Sequence, residues 1–482
     1  MNISNISSVL AETVTDHAAG AVAEHAHEIP HIAWVLPFLG ILGCVAILPL
    51  IHSTHHWWEE NKNKLMISGA MGGIVFIYLA MNGHMGHIHH AMVEYVQFIM
   101  LLGSLYYISG GILLKGDIEA SPKVNCAFLA IGAGLASFIG TTGASMLLIR
   151  PLLKTNSERK KVVHTVVFFI FMVSNIGGLL TPLGDPPLFL GFLRGVPFGW
   201  TFSLWAPWLF MNVALLIIYF IWDTKAYKHE AARDIARDET QITPLSLTGN
   251  INFLLLGGVI FAVAGSKWMS ETISMKLFID ESVLTTKLAV DEYIAHHPEL
   301  FNGSPWREIL MLLLAIVSCK VTKKGLREEN KFSFGPILEV AALFVGIFVA
   351  MIPALMLLKH YGALAAADPA QAKLFTPTFF YWATGLLSSF LDNAPTYLTF
   401  FELAKTFPSG TLIAGVAESL LIPISLGAVF MGANTYIGNG PNFMVKAVAE
   451  ESGLKMPSFF GYMIYSFGIL IPLLIIVNWL FL

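Results

Sequence analysis

Apolar residues in this chain fall into long blocks, most near or above the roughly 17 residues that carry a helix across about 30 Å of hydrocarbon. Ten blocks read as crossings: 31–52, 65–82, 93–114, 163–193, 200–222, 250–265, 307–319, 334–358, 411–445 and 457–482. Only 12% of the residues are charged, about half the share of a soluble domain, so a soluble enzyme is excluded and a polytopic membrane protein is expected, with the lipid bilayer as its main partner. Two further blocks, 124–149 and 376–404, are broken at their centres by Ile139-Gly140-Thr141-Thr142-Gly143 and Leu391-Asp392-Asn393-Ala394-Pro395. They read as re-entrant helical hairpins, the first carried through to 153.

Lys and Arg orient the spans, because cytoplasmic loops are enriched in them. With residue 1 outside, the inside loops hold 20 of the 28 basic residues, and four of the other eight fall around the polar stretch 266–307. Counting either hairpin block as one crossing would put the basic loops on opposite faces. Both termini are therefore expected outside a cell (inner) membrane. A net charge of -4 gives no reason to expect a nucleic-acid partner. Cys44, Cys126 and Cys319 have no paired spacing, which argues against a disulfide framework or thiolate zinc site. Residues 1–30 lack Lys, Arg and an apolar core and read as a polar tail rather than a signal peptide.

Split near residue 240, each half shows three crossings, a hairpin, an interrupted crossing and a final crossing. Five crossings is odd, so the halves enter from opposite faces: an all-α fold of two inverted repeats, 31–240 and 241–482, each with five transmembrane helices and one re-entrant hairpin. The first repeat holds hairpin 124–153 and broken helix 163–193; the second holds an external insertion 266–306, hairpin 376–404 and broken helix 411–445. Thr181, Gly184, Asp185, Pro187 and Phe189 recur as Thr435, Gly438, Asn439, Pro441 and Phe443 at an offset of 254, and Ser137-Phe138 recurs as Ser389-Phe390 at 252.

Gly and Pro free backbone polar groups that hydrocarbon will not satisfy, so such breaks persist only where something else does. Here they carry oxygen donors and no base: Thr181, Asp185, Asn434, Thr435, Asn439 and Asn442 at the interrupted crossings, Thr141, Thr142 and Ser145 at the first hairpin tip, Asp392, Asn393 and Thr396 at the second. Freed carbonyls and side-chain oxygens suit a hard cation such as Na⁺. A carboxyl group withdrawn from water gains proton affinity, so a proton and a metal ion compete for it. These residues are the candidate cation- and proton-binding set. Na⁺ and H⁺ are then cargo, and no cofactor is expected. Glu339 and Glu418 read equally as proton relays or interhelical hydrogen bonds, and His164 as an interface residue.

The runs SFIGTTGASMLLIRPLL (137–153), FFIFMVSNIGGLLTPLGDPPLFLGFLRGVPF (168–198), SSFLDNAPTYLTF (388–400) and GANTYIGNGPN (432–442) resemble the ion transporter superfamily. They look most like NhaD-type sodium/proton antiporters, a group also described as citrate transporters. The resemblance implies a homodimer in which a scaffold domain makes the dimer contact and a transport domain of hairpins and broken helices slides as an elevator. It carries the site to Thr141, Thr142, Asp392 and Asn393 at the tips and to Thr181, Asp185, Thr435 and Asn439 at the breaks. Many relatives carry an Asp-Asn pair at the first tip, where this chain has Gly140-Thr141-Thr142.

Three other activities are open. A Na⁺-coupled di- or tricarboxylate transporter shares the fold, although Asp185 and Asp392 repel an anion unless Na⁺ neutralises them; a metalloid exporter also shares it. An enzyme is suggested by His52, His55 and His56 with His84, His87, His89 and His90, which mimic the histidine boxes of membrane di-iron enzymes. The predicted topology puts the two clusters on opposite faces, so a transporter rather than an enzyme is expected. The segment 84–90 reads as an external His-rich loop, with a pH-sensing role as the alternative to a solvated loop.

Overall fold

The computed structural model describes residues 29–240, 242–278 and 305–482. Most of the expected tail 1–30 and residues 279–304 of the expected insertion lie outside the described residues. The helices are α1 Leu36–Ile47, α2 His52–Glu59, α3 Asn61–Met81, α4 Met85–Ser109, α5 Pro122–Ile139, α6 Thr141–Thr155, α7 Val163–Met172, α8 Pro186–Leu193, α9 Trp205–Tyr227, α10 Ala232–Thr240 and α11 Ile251–Ala264. They continue with α12 Ser266–Phe278, α13 Trp306–Val321, α14 Gly335–Ala350, α15 Ile352–Ala367, α16 Pro377–Phe390, α17 Asn393–Ala404, α18 Glu418–Met431, α19 Gly440–Glu451 and α20 Phe459–Phe481.

Among these residues seven helices are long and apolar enough to cross a membrane, eight if α14 and α15, bent by 44° at Met351, count as one span. The protein is a multi-pass membrane protein. Ten crossings were expected by apolar length; six of them are among the seven helices, and the seventh is α5, an arm of the first expected hairpin. The block 411–445 is divided into α18, a 3-10 turn at Gly432–Asn434 and α19. The blocks 250–265 and 307–319 form α11 and α13, whose 14 and 16 residues reach only about 21 and 24 Å at 1.5 Å per residue. The polar start of the expected insertion, 266–278, is helical.

Each of the two expected hairpin blocks is divided into a pair of helices packed against each other, α5 with α6 and α16 with α17. Gly140 joins the first pair at φ 81° and ψ 148°, a positive-φ extended conformation open essentially only to glycine. Asp392 joins the second, its Oδ1 accepting Ala394 N–H at 3.0 Å as an N-cap. The expected all-α class holds apart from two short antiparallel pairs, of which β1 Leu113–Asp117 with β2 Thr243–Thr248 ties the two halves of the chain together.

Helices α3 and α14 pack along each other, and Ser68 Oγ donates across them to Ala342 O. In lipid such helix pairs are held by packing and hydrogen bonds rather than by water exclusion. The helix α7 is buried on all sides, from Phe168 to Val173 with no exposed side chain, so it lies inside the bundle, while Ile217, Ile221 and Trp222 of α9 are exposed on its outside.

The histidine segments are placed differently from expectation. His84 is a buried turn residue, and His87, His89 and His90 belong to the first turns of α4 rather than to a loop. His55 and His56 lie on α2. The 21-residue α3 separates the two groups by about 30 Å, so they share no metal centre.

Candidate functional site

Two helices break where Gly and Pro replace helix-forming residues. One break separates α7 from α8 through the 3-10 turn Ile176–Leu180, and the other separates α18 from α19. Each is stitched to the neighbouring hairpin by the same bonds at the same offsets. Thr181 Oγ1 donates to Ser137 O, and Thr435 Oγ1 donates to Ser389 O at 2.5 Å. The same hydroxyls accept Leu183 N–H at 3.1 Å and Ile437 N–H at 3.2 Å. Ser137 Oγ donates to Gly177 O at 2.5 Å, and Ser389 Oγ donates to Met431 O at 3.1 Å. A Cβ at Gly184 would strike Gly178 O, and one at Gly438 would strike Gly432 O. One carbonyl at each break, Gly177 O and Met431 O, is thus met by a hydroxyl, and Gly432 O and Thr435 O of the second are met by the Asn442 amide, as hydrocarbon burial demands.

Asp185 sits where all four elements converge, at 1% exposure. Its Oδ1 accepts Thr141 Oγ1–H from the first hairpin tip at 3.1 Å and Asn439 Nδ2–H from the second break at 3.0 Å. Its Oδ2 accepts Asn393 Nδ2–H from the second hairpin tip at 2.6 Å. Thr141 N–H donates to Gly184 O at 2.8 Å, closing tip against break. Among the described residues no basic side chain bonds this carboxylate. It stands at the N-terminus of α8, where the helix dipole favours negative charge.

Around this centre, Asn439 Nδ2 also reaches Ser174 O at 3.1 Å and Asn175 Oδ1 at 3.2 Å, and Asn175 Nδ2 donates to Asn442 Oδ1 at 2.6 Å. Two buried amide oxygens, Asn393 Oδ1 and Asn434 Oδ1, accept no hydrogen bond among the described residues. They are the ligand type that a hard cation takes.

A cavity of about 410 Å³ reaches this centre, lined by Thr141, Thr142, Asp392 and Asn439 at its inner end. It runs out between the starts of α3 and α14, where Lys64 Nζ meets Glu339 Oε1 at 2.6 Å. Of the expected set, Thr141, Asp185, Asn393 and Asn439 meet directly, while Thr142 and Asp392 face the cavity. The hydroxyls of Thr181 and Thr435, together with Asn434 Nδ2 on Ser389 Oγ, hold breaks to hairpins. Thr396 Oγ1 donates to Asp392 O at 3.0 Å, within the tip. Glu339 is an interhelical ion pair at the cavity mouth, and Glu418 accepts Trp200 Nε1–H at 2.9 Å, away from the site.

Sequence reasoning missed Asn175, whose signal is an amide set in an otherwise apolar run before Gly177-Gly178. It also missed the buried ionic cluster in which Arg194 Nε and Nη2 hold Glu94 at 2.6 and 2.9 Å and Nη1 holds Glu402. Glu94 and Glu402 inside apolar blocks were its signal.

Broken helices gathered round a buried carboxylate, within a bundle of membrane-length helices, define a membrane transport protein. The chain belongs to the family described as "Putative citrate transport", which matches residues 26–482. It is also similar to the P protein of Homo sapiens, 21% identical over 495 residues that take in 90% of this chain and 55% of the human protein. The chain spans about half the length of this curated relative.

Proposed function

We propose that the protein is a secondary active transporter that exchanges Na⁺, or Li⁺, for H⁺ across the cell membrane. The observation that carries this reading is the Asp185 carboxylate of the first helix break, met by side-chain donors from both hairpin tips and from the second break and, among the described residues, by no base. Asp392, at the inner end of the cavity, supplies the second acidic group. Metal ion and proton contend for this pair, with Asn393, Asn434 and Thr142 supplying further oxygens.

The chain is two inverted repeats, and the matched bonds at offsets of 252 and 254 support that reading. The hairpins and broken helices form a mobile unit that rides as an elevator against a scaffold including α3, α4 and α14, in a homodimer whose termini both lie outside. The cavity mouth beside Lys64 and Glu339 lies on the basic side of the sequence, so this conformation faces inward.

A second reading is favoured by the cavity volume, about 410 Å³, which exceeds the needs of an ion, and by the family's description. A di- or tricarboxylate carried with Na⁺ would meet the N-termini of α6 and α19 at Thr141–Gly143 and Gly440, both of which line the cavity. Fluorescence dequenching in everted vesicles separates the two. Antiport gives Na⁺-dependent dequenching without carboxylate, lost in Asp185→Asn and in Asp392→Asn. Uptake of labelled citrate with Na⁺, and no dequenching by Na⁺ alone, would replace it with the second reading.

A further inference from the structure

The end of α9 and the chain entering α7 enclose a second concavity, of about 510 Å³, remote from the carboxylate site. Its rim carries Lys161, Lys225 and His229, and its wall carries Ile218, Ile221 and Trp222. Lys161, Lys225 and His229 are exposed, and none of the three has a side-chain ion pair among the described residues. The carboxylates on this side are already engaged. Glu230 accepts the backbone N–H groups of Lys160 and Lys161 at 3.2 and 2.7 Å. Asp223 is held by Arg159 at 2.5 Å and His164 at 2.9 Å. Lys161 and Lys225 therefore present unspent positive charge at the rim, with His229, whose Nδ1 meets Lys225 O at 2.7 Å, beside them.

The depth of the groove is set by its aromatics. Trp222 stacks on Tyr465 at 5.8 Å and on His164 at 6.0 Å between centroids. Amphipathic rings of this kind settle at the headgroup level of a bilayer. Below them Ile221 and Ile217 are half exposed along α9, a surface fit for an acyl chain. Basic pockets at this depth on the cytoplasmic side recruit acidic headgroups.

We propose that this groove is a binding site for an anionic phospholipid, its headgroup phosphate held by Lys161, Lys225 and His229 and one acyl chain lying over Ile218 and Ile221. The lipid then packs against His164, whose imidazole belongs to the buried cluster that closes the base of the first hairpin. In that cluster Arg159 and Asp223 join Asn125 and Asn156, which exchange hydrogen bonds at 2.8 and 2.9 Å. An anionic lipid thereby braces the hairpin that delivers Thr141 to the transport site.

Native mass spectrometry of the full-length protein, titrated with phosphatidylglycerol, phosphatidylcholine or inorganic phosphate, tests this. Phosphatidylglycerol binds in preference to phosphatidylcholine. Lys161→Gln with Lys225→Gln weakens it about 25-fold, roughly fivefold for each charge removed. Lys324→Gln, an exposed lysine on the same predicted face, leaves it unchanged. Equal binding of both lipids overturns the site, as does an equal loss in Lys324→Gln, which marks diffuse surface charge. Phosphate binding as tightly as phosphatidylglycerol overturns the lipid assignment. Should the double variant fail to fold, Lys225→Gln alone and the lipid preference of the unaltered protein decide between the same outcomes.

Discussion

The Asp185 carboxylate receives three side-chain donors, whereas Asp392 accepts one backbone N–H, and this difference separates binding from stability. In Asp185→Asn the new amide offers one acceptor oxygen to Thr141, Asn393 and Asn439, so at least one buried donor is stranded, at a cost of about 1–3 kcal/mol. Asp392→Asn keeps the N-cap, because Asn caps a helix about as well as Asp. Thermal melts in detergent are expected to show a lower midpoint for the first variant and an unchanged one for the second, while both lose exchange. An Asp185→Asn protein that melts like the wild type would mean that these donors do not hold the carboxylate. Asp185 and Asn439 were legible in the sequence because a polar residue beside Gly and Pro in an apolar block stands out, and the offset of 254 doubled the signal. Asn175 was not, because its worth lies in Asn442 and Asn439, more than 260 positions away.

Helix breaks are written locally, by Gly140 at a positive φ and by Pro after Asp185 and after Gly440, so the hairpins and interrupted spans could be read from residue types. What holds one element to another is not local. Arg194 at the end of α8 bridges Glu94 of α4 and Glu402 of α17, and all three are largely buried. Lys405 and His90 add contacts at 3.0 and 3.3 Å. Removing one member of a buried ion pair leaves a charge uncompensated, a loss of about 3–5 kcal/mol. Arg194→Ala is therefore expected to lower the melting midpoint sharply. Lys405→Ala, at the edge of the cluster, removes an interaction worth at most about 1 kcal/mol. Equal melts for the two variants would show that α4 is not tied to α8 and α17 through this arginine. The start of α4 was misread for a related reason: the polarity of His84 to His90 argued for a loop, while the Glu94 contact of His90 and the packing of Ile88 and Ala91 in the core hold the segment helical.

At the scale of the molecule, the reading of the whole chain depends on which ends share a face. The proposed inverted repeat requires the start and end of the first hairpin to lie on one side of the bilayer and those of the second hairpin to lie on the other. Lys123 and Lys154 flank the first, Lys373 and Gly410 flank the second, and all four are exposed, as is Lys62 at the start of α3. In a protein with Cys44, Cys126 and Cys319 replaced by Ser, single cysteines at 62, 123 and 154 should react with a membrane-impermeant maleimide in everted vesicles. Those at 373 and 410 should react only in intact cells. Charge alone predicts this partition, since Lys and Arg resist translocation, and the packed helix pairs are consistent with it because each chain folds back at its tip. Labelling of 123 and 154 from opposite sides would make the first hairpin a crossing. It would also remove the odd crossing number that inverts one half against the other, and with it the symmetry that brings Asn439 to Asp185 from a matching break.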